Sequence, residues 1–168
     1  MNPFSSQPSA IAAAASSPLS APPTLAHWER VTRHALVAAR LGQVVLALAN
    51  SWEALAIAQQ LVEQPSPTRA DDCVAALVVS HHNLADLHLQ EGALDAAAGQ
   101  LCRAHEALMA LLQDSDRPTA IQQAAWRHSR ETHAGLLGFL TEHGPHPAIS
   151  RGLHAGCLAF AAGDSLPH

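Results

Sequence analysis

Three cysteines and twelve histidines are the residues best equipped for chemistry in this chain of 168 residues. Cys102 and His105 stand three apart, and so do His154 and Cys157. Residues three apart on a helix are surface neighbours, so each pair could offer a thiolate and an imidazole to Zn or Cu. A shift of 52 residues (154 − 102 = 52) lays Cys102 on His154, His105 on Cys157 and His81 on His133. His128 and His133 belong to the next helical segment, and either could complete a site with Cys102 and His105. The same thiol and imidazole also suit a nucleophile and its base.

Packing offers a plainer account. His81, His88, His105 and His133 would then be buried or half-buried rings, hydrogen-bonded across helices to Ser80, Asn83 or Thr132. Such rings resist protonation, because charging a buried imidazole strains its surroundings. The chain has no GxSxG elbow, no HExxH, no phosphate-cradling glycine loop and no dinucleotide fingerprint. A non-catalytic protein is therefore expected, with no cofactor unless the Cys/His pairs bind Zn or Cu.

Composition narrows the partners. All nine basic residues are Arg, set against fourteen acids for a net charge of −5. That leaves little to neutralise phosphates, and nucleic acid is disfavoured. No apolar run approaches the roughly 20 residues that a membrane span needs. An odd cysteine count without a CxxC pair points to reduced thiols in a cytoplasm.

The elements that must position these residues are helices. Ala and Leu dominate, while strand-forming aromatics are only 4%. Gly42, Gly92 and Gly144 recur at separations of 50 and 52 (92 − 42 and 144 − 92), each between two helical patterns. Pro65, Pro67 and Pro118 break the chain between those turns. Thr68 with Asp71, and Thr119 with Gln122, have the spacing of capping boxes. The expected fold is all-α: three antiparallel helix hairpins in residues 25–162, stacked as a short superhelix or closed as a six-helix bundle. Residues 1–24, rich in Ser, Pro and Ala, and residues 163–168 are expected to be disordered tails.

Helical periodicity assigns the buried stripes. The second helix offers Val45, Leu48, Trp52, Leu55 and Val62, and the third Val74, Leu77, His81, Leu84 and His88. The fourth offers Leu94, Ala97, Leu101, Ala104, Leu108 and Leu111. The fifth offers Trp126, Arg130, His133, Leu137 and Leu140, and the sixth Ile149, Leu153, Gly156 and Phe160. On this reading Trp28, Trp52 and Trp126 are core residues.

Residues 81–108, HHNLADLHLQEGALDAAAGQLCRAHEAL, carry a more specific pattern. Leu84 and Ala85 form a large–small pair, Gly92 makes the turn, Ala97 is small, Leu101 large and Ala104 small. His88 stands where a tyrosine is usual. This segment resembles a tetratricopeptide repeat, clearest over residues 78–111, with divergent hairpins around Gly42 and Gly144. The resemblance implies a protein–protein interaction module that holds a protein or peptide in the groove formed by the first helix of each hairpin. The groove positions it implies are His82, Asp86, Leu89 and Gln90 in the second hairpin, and Thr32, Leu36 and Arg40 in the first. Only Arg40 is basic among them, so the carboxylate clamp of chaperone-binding members is broken.

Overall fold

The computed structural model describes residues 22–65 and 68–163, with side chains as far as Ala155. The two expected tails fall mainly on residues 1–21 and 164–168, outside the described residues. Six helices follow in order: α1 (Leu25–Arg40), α2 (Val44–Glu63), α3 (Ala70–Gln90), α4 (Leu94–Gln113), α5 (Thr119–His143) and α6 (Pro147–Gly163). Among the described residues there is no strand.

Local chemistry sets most boundaries. Thr24 caps α1, its Oγ1 accepting the His27 amide at 3.1 Å, so the ordered body starts before residue 25. Asp71 and Asp72 occupy the first turn of α3, where the positive end of the helix dipole favours carboxylates. That helix starts at Ala70 with Arg69 as its cap residue. The second capping box does not form. Gln122 instead donates to the Asp114 carbonyl at 2.7 Å, tying α5 back to the preceding linker. Arg117 clamps the same linker onto α2, donating to both Glu63 carboxylate oxygens and to Asp114.

The glycine corners fall where expected. Gly42, Gly92 and Gly144 have φ of 70°, 72° and 82°, a region costly for residues with a Cβ. The first two corners are chemically the same. Gln43 N bonds Ala38 O and Gly42 N bonds Ala39 O; Ala93 N bonds His88 O and Gly92 N bonds Leu89 O. This double closure of a helix end is a Schellman motif. At the third corner Gly144 N bonds only Leu140 O within the turn, and Pro147 opens α6.

Consecutive helices pack together, α3 also packs on α5, and α6 lies mainly on α4 rather than on its hairpin partner α5. The larger core joins α2, α3, the second half of α4 and the start of α5, with Trp28 packed against it. A second core gathers Ala97, Leu101, Cys102, Leu136, Phe139 and Ile149 beneath α6.

Several stripes differ from expectation. In α2 the buried line is Ala47, Ser51, Ala54, Leu55 and Ala58, while Val45 and Trp52 are exposed. Small residues let α2 approach both α1 and α3, and a helix apolar on nearly every side gave periodicity little to choose between. In α5 the buried line is Ala125, Ser129, Thr132, Leu136 and Phe139, one residue before the expected one at each step. Trp126, Arg130 and Leu137 therefore face outward. The α3 stripe is as expected apart from half-buried His88, and so is that of α4 apart from exposed Leu94. In α6 Ile149 is buried and Leu153 half-buried, while Gly156 and Phe160 lie outside the described side chains.

Candidate partner-binding face and the histidine pairs

The repeat-like code of the second hairpin appears as packing. Leu84, Ala85, Ala97, Leu101 and Ala104 are all buried, and α3 packs against α4. The first helices α1, α3 and α5 lie side by side. Asp86 and Gln90 on α3, with Leu36 and Arg40 on α1, are exposed as a groove requires. Leu89 is half-buried against the second core.

Thr32 is a correction. It is buried beside Ala35, Ser51, Ala54, Ser80 and Asn83, facing α2 and α3 instead of the groove. Its Oγ1 and the Ser51 Oγ have no hydrogen-bond partner. The reason lies in register: Thr32 is one turn before buried Ala35 and next to buried Val31.

His82 is the most constrained groove residue. Its ring lies against Gly135 of α5, where an added Cβ would touch ring atoms at 3.6 Å. The Nε2 is buried without a hydrogen-bond partner. Burial pushes its pKa down, although the nearby Glu131 and Asp86 carboxylates pull it up. Desolvation raises Asp86, and His82 opposes that rise. The exposed Asp86 carboxylate and Gln90 amide can bind hydrogen-bonding groups of a peptide, while the His82 Nε2, being buried, is out of a ligand's reach. Glu131 and Gly135 were not foreseen as part of this face; the one-residue error in the α5 stripe concealed them.

Cys102 and His105 face different helices. His105 faces α5: its Nδ1 lies 2.9 Å from Thr132 Oγ1, and its ring centroid is 5.9 Å from that of His133. Cys102 faces α6, where a Cβ on Gly152 would stand 3.4 Å from its Sγ. Burial raises the Cys102 thiol, which disfavours the thiolate needed for ligation or nucleophilic attack. His128 turns to Asp71 and Glu131, at 3.5 Å and 3.4 Å. His154 is exposed, and the Cys157 side chain lies outside the described residues. Among the described residues no three His, Cys, Asp or Glu side chains are placed to hold an ion.

Cross-helix hydrogen bonding accounts for two of the four core histidines. His105 meets Thr132, one of the three expected partners. His81 Nδ1 donates to Gln100 Oε1 at 2.9 Å, a partner not foreseen because Gln100 lies on the buried side of α4. Ser80 serves Trp28 instead, accepting its Nε1–H at 2.9 Å while donating to the Ala76 carbonyl.

Six consecutively packed helices with repeated glycine corners define an all-α helical-hairpin protein. Residues 26–164, nearly the whole six-helix body, match the family described as protein of unknown function (DUF2753), and the chain belongs to that family. No curated protein and no solved structure matches the chain. Among the described residues no helix is long and apolar enough to cross a membrane.

Proposed function

We propose that this protein is a non-catalytic, cytoplasmic interaction module of tetratricopeptide-like type, binding a protein or peptide along α1 and α3 without a cofactor. The observation that carries this reading is the second hairpin. Its small–large packing code and Schellman corner are those of a repeat built for stacking, and its groove positions Asp86 and Gln90 make no hydrogen bond or ion pair among the described residues. Polar side chains free of structural duty, on a face made by adjacent first helices, suit recognition of a peptide's own polar groups.

The test is partner capture from native lysate with the wild type and with an Asp86→Ala/Gln90→Ala variant. Both positions are exposed, so the variant should melt within about 0.5 kcal/mol of wild type. Loss of specific partners is expected; retention of every partner by a folded variant refutes the groove. Zn or Cu binding through the Cys/His pairs is the alternative, and it has less support because Cys102 and His105 turn to different helices. Metal content of protein purified without a histidine tag separates the two: one Zn or Cu per chain would favour the metal reading.

A further inference from the structure

The first two corners share their Schellman bonds at a shift of 50 residues (92 − 42 = 50), so residues near the first corner have equivalents in the second. This comparison separates what the fold requires from what it does not. Val37 corresponds to Leu87, which is only 7% exposed because it packs under Ala38, Ala47 and Leu48 of the preceding hairpin. Among the described residues no helix precedes α1, and Val37 is 47% exposed. Leu36, Leu41 and Val45 correspond to Asp86, Glu91 and Asp95. All six positions are exposed. The second hairpin places carboxylates there, whereas the first places aliphatic groups, with Leu41 67% and Val45 84% exposed. Since the equivalent corner folds with acids, folding does not call for these apolar side chains. Leu46 on the same hairpin is 50% exposed as well, and exposed aliphatic side chains in such number mark an interaction site.

Charge indicates what covers it. From Arg30 to Trp52 there is no carboxylate, although the whole chain carries a net −5. Arg69, Arg117 and Arg127 pair with carboxylates. Arg33 and Arg40 form no ion pair among the described residues. A groove of about 400 Å³ runs between α1 and α2, lined by Arg33, His34, Val37, Gln43, Leu46 and Asn50.

We propose that this end of the stack is a second docking surface whose occupant is an acidic amphipathic helix of a partner protein. Its aliphatic stripe lies over Val37, much as α2 lies over Leu87, and its flanking Asp or Glu side chains pair with Arg33 and Arg40. Two other occupants fit less well. A second copy docked by two-fold symmetry would bring Arg33 and Arg40 against themselves. Residues 1–21 of this chain contain no acidic side chain to meet them.

The test uses the full chain and two synthetic helical peptides with the same leucine stripe, one flanked by Glu and the other by Lys. Fluorescence anisotropy should show the Glu peptide binding at least about tenfold tighter than the Lys peptide, and weakening as salt rises. Leu41→Asp/Val45→Asp alters exposed positions that are acidic in the second hairpin, so the variant should fold and lose at least about tenfold in affinity. Asp86→Ala/Gln90→Ala should leave this binding unchanged, which keeps it distinct from the groove. Equal affinity for both peptides, no binding of the Glu peptide, or full binding by the folded double variant overturns the proposal. A wild-type dimer made monomeric by the double variant would assign the surface to a second copy. A rise of about tenfold in affinity on deleting residues 1–21 would assign it to the chain's own N-terminal segment.

Discussion

His81 and His105 show how this core treats its polar residues. Each has one ring nitrogen hydrogen-bonded across the helix interface, and burial holds each below the ordinary imidazole value of 6.5. Arg103 and His82 add to the depression at His81, and His133 does so at His105, whereas the Gln100 bond only partly opposes it. The folded chain therefore binds fewer protons at these rings than the unfolded chain does. Stability should be fully present above pH 6.5 and fall as pH drops below it, by up to about 1.4 kcal/mol per pH unit for each ring. Urea melts from pH 8 down to pH 5.5 measure this slope, and His105→Gln should flatten it. An unchanged slope in that variant would mean that His105 does not contribute. Thr132→Val tests the hydrogen bond itself. It leaves His105 with both nitrogens unsatisfied, since Nε2 already lacks a partner, and should cost about 1–3 kcal/mol at pH 8.

The glycines allow a clean comparison at the level of elements. Gly42 and Gly92 have open space where a Cβ would stand, so replacing them tests backbone conformation alone. Gly42→Ala and Gly92→Ala should each destabilise by about 1 kcal/mol, because φ near 70° disfavours any L side chain. Gly99 lies inside α4 with equally open space, and Gly99→Ala should stabilise by about 0.5–1 kcal/mol. Chemical denaturation of the three variants gives both signs in one series. These corners were legible in the sequence because a helix reversal has a nearly unique local requirement. The α3 stripe and most of the α4 stripe were legible too, since their apolar residues alternate with polar ones. α5 was not. Its exposed Trp126 and Leu137 and its buried Ser129 and Thr132 invert the usual preferences, and periodicity followed the larger apolar residues one step out of register. That step hid the Gly135–His82 contact and Glu131. It also put His133 in place of Thr132 on the buried stripe, although Thr132 was expected as a hydrogen-bond partner and is the one His105 uses.

At the scale of the molecule, the question is whether the hairpins act as a stack of neighbours or as one closed unit. α1 packs against α2 and α3, whereas α6 packs against α4 and α5. The two cores divide along the same line, one centred on α2 and α3 and the other beneath α6. In a stack, stability is close to a sum of neighbouring interfaces, and damage at one end stays there. Ile149 is the completely buried contact of α6, and Ile149→Ala should cost about 2–4 kcal/mol. Gly152→Val attacks the same interface by overfilling it, since its first neighbour would be the Cys102 Sγ at 3.4 Å. That change should cost about 1–3 kcal/mol, and adding Cys102→Ala should recover part of it by making room. Hydrogen exchange on the Ile149→Ala protein then separates the two architectures. A stack loses amide protection in α6, the first half of α4 and the second half of α5, while Val74, Leu77 and their neighbours in α3 keep theirs. A closed bundle loses protection evenly, because no helix in it can open without exposing the shared core. Uniform loss would mean that the two cores unfold as one, and that the repeated corners describe how the chain turns without dividing it into separable units.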